Sequence, residues 1–286
     1  MKGQTCLVTG ATDGIGKVTA RVLAKKGARV IVAGRNRGKA ERVVEEIRGQ
    51  SRNPAVEYLL ADFASQAEVR RMAAQFLEGH DRLDVLVNNA GAYFLSRQES
   101  EDGVEMTFAV NHLAPFLLTH LLLDTILSSA PARIINVSSD AHEGKGLDFD
   151  DLQNESGYSG FEAYGQSKLA NLYFTYELAR RLQGSDVTVN ALHPGFVATN
   201  LGANNLPLFG SAVKKFVNLF AGKGVEEGAE TTIYLASSPE VAGVSGKYFV
   251  DCQPVPSSEA SYDEVAARQL WEVSADLLGL PPDQTA

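Results

Sequence analysis

The chain has 286 residues, 44% of them hydrophobic, and is long enough to bury one large core. Its formal net charge of −9, from 26 basic and 35 acidic residues, speaks against a nucleic-acid binder, which needs clustered Lys and Arg to neutralise phosphates. Two cysteines, Cys6 and Cys252, exclude a disulfide framework and imply a reducing, cytoplasmic setting.

The first apolar run, "TCLVT" (5–9), follows "MKGQ" directly, so no signal peptide is expected. "TGATDGIG" (9–16) comes next, and a helical pattern, "GKVTARVLAKKG", follows it. Strand, glycine turn and helix in that order make a phosphate cradle: glycines permit a tight turn and let backbone N–H groups approach a pyrophosphate at the helix N-terminus. The second strand, "ARVIVAG" (28–34), ends on Gly34 and Arg35, where an NAD binder tends to carry an acid for the ribose 2′-OH. Arg35, with Arg37, Lys39 and Lys17 close by in an acidic chain, suits a 2′-phosphate; NADP(H) is expected over NAD(H). The third strand, "AVEYLLA", leads into Asp62 and Phe63; Asp62 is placed either to bond an adenine edge or simply to start a loop. The fourth, "LDVLVNN", runs into "NNAG" (88–91), whose small residues let the chain pass close under a cofactor.

Leu113 to Leu127 is the most apolar helical stretch, and its length, Pro, Thr, His and Asp argue against an integral membrane segment. Asn111 lies just before it, in a helix interior that disfavours Asn. The fifth strand, "ARIINVS" (132–138), brings Ser138 and Ser139 to a cleft rim. A long polar segment (140–164) then leads to "YGQSK", where Tyr164 and Lys168 sit i, i+4 on one helix face. A free phenol, with a pKa near ~10, is a poor proton shuttle at pH 7, and a lysine ammonium beside it stabilises the phenolate. The sixth strand, "VTVNALH" (187–193), runs into "HPGFVAT", a Pro-Gly turn with Thr199 in reach of a nicotinamide amide. Segment 206–220 reads either as a lid over a greasy substrate or as an ordinary amphipathic helix, and "KYFVD" (247–251) is the seventh strand.

Strands that alternate with helices imply βαβ units. The expected fold is α/β: one Rossmann-type doubly wound domain over 1–286, with a parallel sheet of about seven strands in the order 3-2-1-4-5-6-7. A substrate loop is expected at about 199–224 and a C-terminal helical extension at about 255–280, where Trp271 serves core or subunit packing. Candidate cofactor contacts are Gly10, Thr12, Asp13, Gly14, Ile15, Gly16, Arg35, Asn36, Asp62, Phe63, Asn89, Ala90, Gly91, Tyr164, Lys168, Pro194, Gly195, Val197 and Thr199; His142 and His193 lack metal-ligand spacing, and no metal is expected.

Taken together, "TGATDGIG", Asp62, "NNAG", Asn111, Ser139, "YGQSK" and "HPGFVAT" resemble the short-chain dehydrogenase/reductase family over nearly the whole chain. "SSDAH", "YGQSKLANLYFTYELARRL", "GKYFVDC" and "LWEVSADLLG" are most similar to its retinol dehydrogenase-like branch. The resemblance implies that Tyr164 is the general acid or base and that Lys168 holds the nicotinamide ribose and lowers the Tyr164 pKa. It further implies that Ser139, rather than Ser138, bonds the substrate oxygen, and that Asn111 holds a water in a proton relay. The expected reaction is hydride transfer between NADP(H) and a carbonyl or alcohol, the substrate being a lipophilic aldehyde or ketone and the protein a homo-oligomer. The competing readings are nucleotide-sugar epimerase chemistry, which lacks its glycine spacing and larger substrate domain here, and a non-catalytic NADP-binding regulator, which commonly loses the Tyr or Lys kept here.

Overall fold

The structure, a computed structural model, describes residues 1–197 and 223–281. Thr199, segment 206–220 and most of the expected substrate loop lie outside the described residues.

Short, doubly buried apolar runs form the strands, as parallel sheets covered on both faces require. β1 (Thr5–Thr9), β2 (Arg29–Gly34), β3 (Val56–Leu60), β4 (Val85–Asn88), β5 (Ala132–Val137), β6 (Val187–His193) and β7 (Lys247–Val250) are parallel neighbours in the order β3-β2-β1-β4-β5-β6-β7. The chain reverses its direction of travel across the sheet between β1 and β4, so a crevice opens beyond their carboxyl ends.

An eighth strand, β8 (Gln253–Val255), corrects the expected seven. It pairs antiparallel to β7 through a two-residue turn in which Asp251 (φ 51°) and Cys252 (φ 61°) are both left-handed. Such hairpins normally announce themselves with Asn-Gly or Gly-Gly, and neither is present, which hid the turn. Pro254 is tolerated because β8 is the sheet edge.

Helices cover both faces. α1 (Gly14–Lys25), α2 (Arg37–Ser51) and α7 (Val225–Ser237) bury Leu23, Val44, Ile47 and Leu235 on one side. On the other lie α3 (Gln66–Gly79), α5 (Ala114–Ser128), α6 (Gly160–Arg181) and the C-terminal α8 (Glu264–Leu277), around Phe76, Phe116, Phe174 and Trp271. Trp271 belongs to this core: it is 2% exposed, 4.9 Å from the Phe116 ring, with the Arg181 guanidinium 4.2 Å over its face.

The short helix α4 (Met106–Phe108), a π-helical turn (Ala109–Leu113) and α5 run on as one helix, Met106–Ser128. Its 23 residues exceed the stretch read from the sequence and are long enough to cross a membrane, but 89% of its apolar window is buried inside the fold. Packing, not length, makes it a core helix.

Candidate functional site

One cleft of about 950 Å³ opens at the carboxyl ends of β1, β4, β5 and β6. The glycine turn forms its floor. Gly10 (φ 63°) and Gly14 (φ 54°) take left-handed backbone that L side chains resist. A Cβ on Gly16 would stand 2.5 Å from Asn89 Nδ2 and 2.7 Å from the Gly10 carbonyl oxygen, so that glycine serves close packing. Asp13 caps α1 by accepting from the Gly14 N–H at 2.8 Å.

Asn89 stitches the end of β4 to this turn. Its Nδ2 donates to the Thr9 carbonyl at 2.8 Å, and Thr9 Oγ1 accepts from the Asn89 and Ala90 N–H groups, each at 2.9 Å. Thr9 is a residue that sequence reasoning passed over. Asn88 points into the core instead, donating to Asn136 Oδ1 at 2.8 Å and Thr119 Oγ1 at 3.1 Å.

Of the four basic residues near the second strand end, Arg35 lines the cleft, where its guanidinium stands 3.4 Å from Asp62 Oδ2. Lys17 pairs with Glu46 at 2.7 Å, and Arg37 donates to the Tyr58 hydroxyl at 3.2 Å. A Cβ on Gly34 would meet Thr12 Cγ2 at 2.7 Å, so an acid cannot stand there without displacing Thr12. Asn36 does not line the cleft; it caps α2, accepting from the Lys39 N–H at 2.9 Å. Ile15, Asp62, Phe63, Ala90, Gly91, Pro194, Gly195 and Val197 all line the cleft.

The candidate catalytic groups meet at its centre. Ser138 and Ser139 part company at the end of β5: Ser138 Oγ is buried and donates to the Lys168 carbonyl at 2.8 Å, while Ser139 lines the cleft with Tyr164. Lys168 Nζ donates to the Val137 carbonyl at 3.1 Å and lies 5.4 Å from the Tyr164 ring centroid. Burial pushes the Tyr164 phenol up to about 12, against a smaller opposing pull from Ser139. Burial also brings the Lys168 ammonium down to about 8. Lys168 is not among the groups that move the Tyr164 phenol; burial raises it most, and the Asp140 charge adds to the rise. Asn111 sits in the π-helical turn, an uncommon geometry that collects at functional sites. Its Oδ1 accepts from the Ala92 N–H at 2.7 Å, and its Nδ2 donates to the Ala92 carbonyl and to Ser167 Oγ, each at 3.0 Å. Asn111 thus clamps the segment that follows "NNAG".

The outer half of the cleft is aromatic and apolar. Tyr93, Phe94, Met106, Val110, Phe161 and Phe196 line it, and none was singled out from the sequence. Phe161 and Phe196 are 61% and 71% exposed, unusually open for Phe. The readable signal was the place of four of them: Tyr93, Phe94 and Phe196 follow strand ends and Phe161 precedes "YGQSK", while Met106 and Val110 sit on the helix around Asn111. The long polar segment before α6 is tied down against this wall. Tyr158 Oη donates to the Phe94 carbonyl at 3.1 Å, and Arg97 Nε donates to the Gln153 carbonyl at 3.0 Å. Gly160 lets the two meet, since a Cβ there would stand 2.2 Å from the Phe94 carbonyl oxygen. Gly160→Ala is expected to destabilise the fold by about 1–3 kcal/mol, the usual cost of overpacking. Urea unfolding measures it, and an unchanged midpoint would show that the wall yields freely.

The cleft fits a nicotinamide dinucleotide. Glycines at 10, 14 and 16 lead the cleft floor into the N-terminus of α1, Arg35 stands at one rim, and the volume suits a ligand of that size.

Three comparisons accord with this geometry. The family model for short chain dehydrogenase matches residues 4–207. Human retinol dehydrogenase 14 is 46% identical over 294 aligned residues, covering 98% of this chain and 88% of that protein. Among solved structures, an uncharacterised protein from Mycobacterium paratuberculosis superimposes with a TM-score of 0.77 at 34% identity, over 98% of this chain and 94% of its own. The Pseudomonas aeruginosa RhlG/NADP active-site complex does so with a TM-score of 0.69 at 29% identity, over 87% and 94%.

Proposed function

The chain belongs to the short-chain dehydrogenase family, as a retinol dehydrogenase-like oxidoreductase, and within it we propose an NADP(H)-dependent enzyme that interconverts lipophilic aldehydes or ketones with their alcohols. The observation that carries the proposal is the convergence of Tyr164, Lys168 and Ser139 between a glycine cradle and an aromatic wall.

A bound nicotinamide supplies the hydride; the protein supplies orientation and the proton. The glycine turn, with the N-terminus of α1, holds the pyrophosphate. Arg35 grips the 2′-phosphate, and no acid stands at Gly34 to repel it. The ammonium of Lys168, anchored on the Val137 carbonyl, holds the nicotinamide ribose. Tyr164 remains a neutral phenol at physiological pH, because burial holds its proton. That suits a general acid, which gives its proton to the substrate oxygen as charge builds there. Ser139 faces the same oxygen from the end of β5, on the rim of the cleft. Tyr93, Phe94, Met106, Val110, Phe161 and Phe196 accept the apolar remainder of the substrate.

The test is an absorbance assay of NADPH oxidation with a series of aliphatic and aromatic aldehydes and ketones. Turnover that improves with chain length supports the proposal. Bound NADPH without turnover of any of them would favour a regulatory protein instead. For the cofactor, Arg35→Ala should raise the NADPH KM by about tenfold or more, the worth of a charged hydrogen bond, and leave the NADH KM near its parent value. Steady-state kinetics with both cofactors checks this; a parent enzyme that uses NADH equally well would contradict it.

A further inference from the structure

The Ser139 hydroxyl has a competing partner within the chain. Its proton goes to Asp140 Oδ1 at 3.0 Å, while the Ala141 N–H donates to the serine oxygen at 3.2 Å. The other Asp140 oxygen, Oδ2, lies 3.7 Å from His193 Nε2. His193 Nδ1 accepts from the Asp140 backbone N–H at 3.3 Å, so in the neutral ring Nε2 carries the hydrogen, facing the carboxylate. Asp140 and His193 both line the cleft, and the chemistry described above uses neither.

We propose that Asp140 and His193 set the polarity of Ser139: with Asp140 charged, the hydroxyl turns its lone pair to the cleft and favours an alcohol, whereas with Asp140 neutralised by protonated His193 it turns its proton to the cleft and favours a carbonyl. The inference rests on the reductase reading, which places the reacting oxygen at Ser139.

The physical basis is the single proton of a serine. A hydrogen bond to a carboxylate is roughly twice as strong as one to a neutral acceptor, so a carbonyl oxygen does not win that proton from Asp140. A carbonyl can only accept, and it meets a serine that is already committed. An alcohol can donate, and it finds the serine oxygen ready to accept. A second proton on His193 changes the balance. Imidazolium beside Oδ2 weakens the carboxylate as an acceptor, and the new hydrogen on Nδ1 forces release of the Asp140 N–H. Among the described residues, the charged or titratable groups that act on His193 are Asp140, His142, Lys223 and Asp251. Burial chiefly holds His193 below the ordinary histidine range; Asp140 and Asp251 oppose this, while His142 and Lys223 add to it. The switch to carbonyl preference therefore comes on the acid side of that range.

Asp140→Asn tests the proposal, with nonanal and NADPH in one direction and nonan-1-ol and NADP⁺ in the other. Loss of the charge should lower the nonanal KM and raise the nonan-1-ol KM, each by roughly fivefold, about the worth of one hydrogen bond. The opposed shifts are the signature, since a merely structural lesion moves both in one direction. Acidifying the parent should reproduce them, and the Asn variant should lose that pH dependence. In a Ser139→Ala background, with binding followed by the quenching of NADPH fluorescence, Asp140→Asn should produce no opposed shift. Parallel shifts, or opposed shifts that persist without Ser139, would overturn the proposal. An NMR titration of the His193 ring needs no turnover: its pKa should fall further in Asp140→Asn, and an unmoved pKa would break the pair. A parent that turns over neither compound would instead overturn the reductase reading.

Discussion

Tyr164→Phe is expected to lower kcat by about a thousandfold, in the middle of the range for removal of a general acid, while NADPH binds as before. The substitution removes one oxygen and leaves the ring, which packs edge-on against Tyr93 with centroids 5.8 Å apart, so the cleft wall should survive. Among the described residues, no neighbouring group is placed to take over. Ser139 lines the cleft with Tyr164, but its own proton is held by Asp140. The parent's pH profile should carry a related signature. Tyr164, held at about 12, keeps its proton far above neutrality, so the first alkaline loss of reduction should come from Lys168 near pH 8. Stopped-flow NADPH binding and steady-state turnover, measured together, separate the two roles. A variant that keeps a tenth of parental turnover would remove Tyr164 from the proton step.

Lys168→Met should abolish turnover and yet stabilise the fold. Lys168 is 4% exposed, and burial takes its ammonium from the usual 10.5 to about 8. That shift corresponds to a penalty of roughly 3 kcal/mol at neutral pH. Methionine has similar length and no charge; after loss of the hydrogen bond to the Val137 carbonyl, a net gain of about 2 kcal/mol remains. The sign follows from proton counting. Between pH 8 and 10.5 the unfolded lysine binds more proton than the folded one, so the parent gains stability from this residue as pH rises through that window. The advantage of the Met variant is therefore full below pH 8 and shrinks towards 10.5. Chemical denaturation at pH 7 and pH 10 checks it; a Met variant less stable than the parent at pH 7 would mean that the lysine's bonds outweigh its burial. Stability given up for a buried, poised cation is the expected cost of a working site.

Most of the architecture was legible because it follows from periodicity. Doubly buried strands such as "TCLVT" and "ARIINV" cannot be mistaken for surface, and their alternation with amphipathic helices leaves few topologies. The position of the glycine turn after β1 likewise predicted where the cleft would open. What escaped the sequence depends on contacts made at a distance. The left-handed Asp251 and Cys252 carry no glycine to mark them, so β8 stayed hidden. The π-helical turn at Asn111 has no periodic signature, although a misplaced Asn hinted at it. Asn36 looks like a ligand contact by position, yet its side chain caps α2; Asn89, which lines the cleft, also holds the glycine turn. The phenol of Tyr164 was expected to be lowered by the lysine one turn on. Three-dimensional enclosure, which spacing along a helix cannot reveal, pushes it the other way.

The central claim is that hydride passes between the nicotinamide and a carbonyl carbon held beside Tyr164. Reduction of nonanal with NADPH deuterated at the transferring C4 position, followed by mass spectrometry of the product, tests it most directly. The account predicts nonan-1-ol with one deuterium at C1, formed by the parent and lost in Tyr164→Phe. Nonan-1-ol without deuterium, or no alcohol from a protein that binds NADPH, would contradict it.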